Sequence, residues 1–327
     1  EESRAAMLAA GQRYLELARA LDRHEGQGGH PPVKRAVRPC PRPPVELRPT
    51  RLSITEIETW IRDPYAIHAR RVLGLRPLEP LEREADPALR GTVYHAILAR
   101  FVTERPAGET AAAAEQRLSA LAKTVFASHR VPGEVAASWL PRFLKIGRLF
   151  IAWEAERAGQ VEQSLCEVKG EIEVGPDGFV LRGRADRIDR TADGAITILD
   201  YKTGLTPSAK QARIFSPQLS LEGRMAELGA FGPEAARPVG ELAYVRLRAG
   251  DRLRVDSIAG GREKIDARDL AERAWQEPER LVAAYRHREQ GYLSRYAVMQ
   301  EGEVGGDYDH LARVREWSLG EAESEDD

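Results

Sequence analysis

The stretch "GRADRIDRTADGAITILDYKTG", Gly183 to Gly204, constrains the fold of this chain more than any other. The runs "FVLRGRADRID" and "AITILDYKTG" flank a turn at Asp193–Gly194 and read as antiparallel neighbouring strands. Side chains on a strand alternate between faces, so Asp200 and Lys202 point one way while Leu199 and Tyr201 point the other. Ile196 and Ile198 share the Asp200 face, which makes the strand core for most of its length and polar at its end. In the preceding strand Arg182, Arg184 and Asp186 share one face, with small Gly183 and Ala185 on the other. Antiparallel pairing then brings Asp186 and Asp200 towards one point, with Lys202 beside them.

Two carboxylates held that close repel unless a proton or a cation lies between them. A hard divalent cation suits oxygen ligands, and magnesium or manganese is expected. Such an ion polarises a phosphoryl oxygen and lowers the pKa of bound water. The Lys202 ammonium can orient that water or offset charge on a phosphorane-like transition state. Asp, Asp and Lys therefore make a plausible phosphodiesterase site. Alone, an Asp-x-Lys triplet is more often a surface ion pair; "GRADRID" upstream changes that balance.

At 327 residues the chain can hold one large domain or two ordinary ones, and its net charge of -2 gives no global basic footprint. Cys40 and Cys166 are too few for a four-thiolate zinc or iron–sulfur site, and such sparse usage suits a reducing cytoplasm. There is no membrane-length apolar run, no signal peptide and no phosphate-binding GxxxxGK[ST] loop. The opening "EESRAAMLAAGQRYLELARALDRHEG" starts inside a helical pattern without a methionine, as a piece of a longer protein would.

The order of segments suggests a helix over 1–30, a Pro/Arg-rich linker over 31–50, a main domain over 51–318 and a disordered acidic tail over 319–327. Ser53 and Glu56 have capping-box spacing, and Leu52 with Ile57 has that of a hydrophobic staple. Helices are expected over "RGTVYHAILARFV", 110–129, 134–156, "SPQLSLEGRMAEL" (capped by Ser216) and 266–290. "SLCEVKGEIEV" reads as a further strand and "ELAYVRLRAGDRLRVDSI" as a hairpin. Asp307, Asp309 and His310 read better as a helix start than as ligands, and Arg142, Lys145 and Arg148 share one helix face.

"GRADRID" followed by "ILDYKTG" resembles the RecB-type branch of the PD-(D/E)XK nucleases. Together with "LSITEIETWIRDPYAIHARRVLGLRPLEP", "RGTVYHAILARF", "SPQLSLEG" and "GDYDHLARVREWS", the pattern from Leu52 to Ser318 looks like the C-terminal nuclease region of AddB subunits of AddAB helicase–nucleases. The resemblance implies an α+β domain with a small mixed sheet flanked by helices, plus extra helices at both ends. It implies that Asp186, Asp200, His95 and the Tyr201 carbonyl bind the metal, magnesium with manganese able to substitute. It makes Lys202 the catalytic lysine, with Asp186, Asp200, His95 and Gln218 as further catalytic positions. An assisting first-strand glutamate would be Glu167, with Glu171 in reserve, and either can equally be solvent-facing. Arg184 and Arg187 are candidate phosphate clamps, and Gln218 can contact DNA or orient Lys202.

Two departures from the family pattern stand out. QxxxY becomes Gln218 with Glu222, so the tyrosine has no counterpart, and the two cysteines are too few for the iron–sulfur cluster of some relatives. The implied function is cutting the 5′-ended strand of unwound DNA during double-strand break repair, in partnership with an AddA-type subunit and without a membrane role. A stand-alone RecB-type nuclease and a nuclease-dead DNA-binding or scaffold module are the rivals.

Overall fold

The computed structural model describes residues 2–21, 36–78, 87–259, 265–297 and 306–321. The glycines Gly26, Gly28 and Gly29, the start of the proline-rich segment and residues 322–327 of the acidic tail lie outside the described residues. The chain divides into two units, one of Glu1–Cys40 with Val304–Asp327 and one of Pro41–Glu303. The first contains helix α1 (Glu2–Leu21).

In the second unit, the proline-rich segment stays extended apart from one turn at Val45–Leu47. Its Arg48 is buried and donates to the carbonyls of Tyr285 (2.8 Å), His287 (3.0 Å) and Arg288 (3.1 Å). Strand β1 (Arg51–Ser53) then leads into α2 (Ile54–Arg62) through the expected capping box. The Ser53 hydroxyl accepts from Glu56 N–H, and the Glu56 carboxylate accepts from Ser53 N–H. A short helix α3 (Pro64–Ile67) precedes three long ones, α4 (Pro87–Thr103), α5 (Ala111–Ser128) and α6 (Gly133–Arg157).

The strands β2 (Val161–Val174), β3 (Phe179–Thr191) and β4 (Ile196–Lys202) follow as an antiparallel meander. After α7 (Ala209–Ile214) and α8 (Gln218–Glu227) come β5 (Val239–Arg246), β6 (Arg254–Ser257) and α9 (Ala267–Ala284). Helix α8 begins one residue later than the sequence suggests. Pro217 takes the capping position without a side-chain cap, and the Ser216 hydroxyl donates to Glu58 instead (3.1 Å). The last described helix, α10 (Val314–Glu321), belongs with α1, and nearby Asp309 accepts from Gly306 N–H (2.7 Å).

The strands form one mixed six-stranded sheet. β2 covers one edge of β3; the other edge is shared by β1, parallel at Val180–Arg182, and β4, antiparallel at Arg187–Arg190. β5 then joins β4 in parallel, and β6 closes antiparallel. Two hydrophobic clusters lie on opposite sides. One gathers α2, α8 and α9 with Ile196 and Ile198; the other gathers α4, α5 and α6 with Leu199 and Tyr201. The alternation read from the sequence of β4 thus holds.

Gly170 and Gly183 face each other across β2 and β3 and permit a close approach. A Cβ on Gly170 would lie 2.5 Å from the Ala230 carbonyl oxygen, at the end of α8. Gly170→Ala should therefore destabilise the protein by about 1–3 kcal/mol through overpacking. Gly133→Ala, where an added Cβ meets nothing within 4 Å, should be neutral or slightly stabilising in the same denaturant titration.

Candidate active site

β1 pairs with β3 as far as Arg182, and β4 pairs only from Arg187. Residues 183–186 therefore have no ladder partner on that edge, and the sheet forks there. At the fork the Tyr201 backbone N–H donates to Asp186 Oδ2 (2.9 Å), a side-chain acceptor in place of a ladder carbonyl. Asp186 and the end of β4 are thus joined as the sequence suggests, though by a mixed bond.

Strict alternation fails at this point. Leu181, Gly183 and Ala185 face the α2/α8 side, and so does Ile188. Arg187 and Asp189 turn instead towards α6, where Arg187 meets Glu154. On β2, Val168 and Ile172 face the α2/α8 side and so does Leu165, whereas Ser164 reaches Asp189 on the other. Both strands change parity at the facing pair Glu167 and Asp186, which is missing from a register that runs unbroken on either side from Gln163 to Val174. Glu167 carries the distortion, with φ of 56°. A left-handed backbone at a non-glycine residue inside a strand is strained and directs attention to the site.

The distortion assembles a cluster. His95 from α4, Glu167 and Asp186 each offer a ligand atom, and these atoms lie within 4.8 Å of one another. His95 Nδ1 is 3.3 Å from Asp186 Oδ2. Asp200 is the neighbour of this cluster rather than a member of it. Its carboxylate receives Lys202 Nζ at 2.8 Å from Oδ2 and the Gln218 amide at 2.9 Å from Oδ1. The structure thus gathers His95, Glu167 and Asp186 around one point, with Asp200 held alongside by Lys202 and Gln218.

The electrostatics describe an excess of negative charge. Burial and the Asp186 carboxylate raise the Glu167 pKa, against the attraction of Arg184. Burial pushes the buried Asp200 carboxyl up to about 6, with Lys202 opposing and Asp186 adding to the rise. Burial alone would lower His95, but its hydrogen bond to Asp186 and the charges of Asp186, Asp200 and Glu167 raise it. Burial alone would lower Lys202, but the charges of Asp200, Asp186 and Glu222 and the hydrogen bond to Asp200 raise it. These are the pressures a divalent cation would relieve, and the donor set of two carboxylates and one imidazole fits such an ion.

Gln218 does not reach Lys202; it bridges Asp200 and Glu222, donating to Glu222 Oε1 at 3.1 Å. Glu222 is buried, where the family pattern has a tyrosine. Glu171 is exposed and pairs with Arg182 (3.5 Å), away from the cluster. The Tyr201 ring lies in the core, as expected. Tyr244, which sequence reading missed, stands opposite Asp200 in the β4–β5 register, and its ring is 5.5 Å from Lys202 Nζ.

The two candidate phosphate clamps separate. Arg184 is 58% exposed beside the cluster and holds Glu167 at 2.5 Å. Arg187 is a correction to the sequence reading: its side chain is 1% exposed and cannot meet DNA. It pairs with Glu154 and Asp189, each at 2.6 Å, and donates to the Tyr201 hydroxyl at 3.3 Å, beneath the strand that carries Asp200.

Comparison with known proteins fits this arrangement. Residues 51–304 match the profile of the PD-(D/E)XK nuclease superfamily. This chain belongs to that superfamily. An uncharacterized protein of Rickettsia bellii is 31% identical to this chain over 180 residues. A second uncharacterized protein, from Rickettsia felis, is 30% identical over 183 residues. Each alignment covers 54% of this chain and only 22% or 21% of the relative, so the matched region spans about a fifth of those longer chains. The crystal structure of SSO0001 aligns over 85% of this chain and 86% of that one, with 14% identity and a TM-score of 0.29, too loose to compare sites. The PD-(D/E)XK assignment makes the chain a nuclease domain with a mixed sheet flanked by helices. No helix among the described residues is long and apolar enough to cross a membrane.

The two arginines should behave oppositely on substitution. Arg187→Ala removes the cation shared by buried Glu154 and Asp189, leaving Arg157 as their counter-charge, and should cost about 3 kcal/mol of stability. Arg184→Ala removes a solvent-facing pair and should change stability by no more than about 1 kcal/mol, measured by the same urea titration.

Proposed function

We propose that this domain is a magnesium-dependent deoxyribonuclease that hydrolyses DNA phosphodiesters, and that it serves as the nuclease region of an AddB-type subunit. The observation that carries the reading is the His95, Glu167 and Asp186 cluster with the Asp200–Lys202 pair at its side. His95, Glu167 and Asp186 would hold the cation. When bound, such an ion would polarise a phosphoryl oxygen and lower the pKa of water, with manganese able to substitute for magnesium.

The remaining work falls to the chain itself. Lys202, oriented by Asp200, would direct the attacking water and offset charge developing on the phosphorus oxygens. Gln218 fixes the Asp200 carboxylate from its other side. Arg184, exposed beside the cluster, would exchange Glu167 for a phosphate of the strand.

The finer reading rests on the order of motifs from Leu52 to Ser318 and on relatives that carry the matched region inside a much longer chain. Under it the substrate is a single strand delivered by unwinding, the cut falls on the 5′-ended strand of a broken duplex, and the partner is an AddA-type helicase–nuclease subunit. Recombinational repair of double-strand breaks in the bacterial cytoplasm is the corresponding role.

Two measurements test these readings. Lys202→Ala should retain manganese binding by calorimetry while single-turnover cleavage falls about a hundredfold or more, whereas Asp186→Ala should lose metal and cleavage together. Cleavage by Lys202→Ala at the wild-type rate would refute the mechanism. On its own the domain should cut single-stranded DNA far faster than blunt duplex, and equal rates would favour a stand-alone nuclease over an AddB-type subunit.

A further inference from the structure

The fork in the sheet holds more room than the metal-ligating cluster uses. A second cavity, of about 610 Å³, opens between Thr55, Lys169, Arg182, Arg184, Gln218 and Glu222. Its size lies within the range of about 300–1,000 Å³ typical of sites that enclose small ligands. It is contiguous in chemistry with the cleft that contains His95, Glu167 and Asp186. Arg184 lines both, and the Gln218 amide binds Asp200 on one side and Glu222 on the other.

Glu222 distinguishes this cavity from an ordinary surface groove. The residue is 1% exposed, and its Oε2 has no hydrogen-bond partner among the described residues. A buried polar atom left unmatched is unfavourable, and a ligand group or a water resolves it. Burial together with the negative charges of Asp200 and Asp186 holds the Glu222 carboxyl well above its ordinary range. A neutral carboxyl both donates and accepts a hydrogen bond. Ile54 and Ala230 add apolar wall, while Arg182 and Lys169 put positive charge at the exposed strand residues.

We propose that this cavity seats one nucleotide of the cleaved strand, next to the scissile phosphate, with Glu222 hydrogen-bonding the edge of its base. A base has apolar faces and a polar edge, as the cavity wall and Glu222 require. The basic residues meet the adjoining phosphates. Arg182 holds Glu171 in a solvent-facing pair that a phosphate can displace at little cost, and Arg184, 58% exposed, can turn from the half-buried Glu167 to a phosphate. The inference rests on the nuclease reading and extends it from a phosphate-cutting centre to a site that holds a base.

The test uses the full 327-residue chain, in EDTA, with a fluorescent thymidine strand of about ten nucleotides, within the site sizes of single-strand binders, and an abasic strand of equal length. Wild type should bind the base-bearing strand about fivefold or more tightly than the abasic one, the scale of one or two buried hydrogen bonds. Thr55→Trp, a change at an exposed position that fills the cavity, should abolish that preference, as should Glu222→Leu. Glu222→Gln, which keeps a donor and an acceptor, should restore it, and manganese binding should be unchanged in all variants. If Glu222→Leu does not fold, Thr55→Trp decides the matter alone. A preference that survives Thr55→Trp, or a wild type that does not distinguish the strands, overturns the base seat. Wild-type cleavage of single strands in magnesium is scored separately. Its failure counts against the nuclease reading, while the binding comparison still judges the cavity.

Discussion

β3 gives up its ladder on the β1/β4 edge over residues 183–186, and the candidate site depends on that gap. Backbone polar groups normally find partners, so an unpaired strand edge inside a sheet must be satisfied by something else. Here a side chain supplies the acceptor, with Asp186 taking the Tyr201 N–H. The bond holds β4 to β3 where regular pairing has ended. It also fixes one oxygen of Asp186 relative to the strand that presents Asp200 and Lys202. Splaying of β1 from β4 creates the space; the Asp186 bond keeps its two sides in register.

The parity change at Glu167 and Asp186 then assigns separate duties to adjacent residues. In a regular strand Asp186 and Arg187 would face opposite sides. With the distortion both face the α4 and α6 side, Asp186 at the open cleft and Arg187 inside. Arg187 fastens β3 to α6 through Glu154 and touches the Tyr201 hydroxyl, so the floor of the site is tied down by a buried cation. A buried ion pair of this kind contributes little net stability compared with apolar packing, but breaking it strands charge. Its value here is positional.

Much of this was legible in the sequence where the controlling interaction is local. The capping box at Ser53 and the segregation of Ile198 from Leu199 follow from spacing within a few residues. The meander followed from its turns, and Asp186, Asp200 and Lys202 were located by the alternation on either side of one turn. Arg187 was misread because its place next to Asp186 in the sequence was taken for exposure beside the site, whereas its side chain lies inside against Glu154 and Asp189. Nothing in "GRADRID" itself reveals the break, since the strained residue is Glu167 on the facing strand. Gly170 and Gly183, paired across those strands, gave a partial signal of close packing but not of a parity change.

The strain at Glu167 also explains why this carboxylate is the one that completes the cluster. A glycine or asparagine would occupy the left-handed region more comfortably, by about 1 kcal/mol in the case of glycine. Glutamate there is opposed further by burial and by the facing Asp186 charge. Arg184 and His95 offset part of that repulsion, yet the carboxyl pKa stays raised. The backbone and the electrostatics are therefore both under load at one residue. A cation between Glu167, Asp186 and His95 would remove the electrostatic part while leaving the backbone geometry that formed the site. The fold so prepares the cluster in advance, and binding of an ion there would release repulsion rather than reorganise strands.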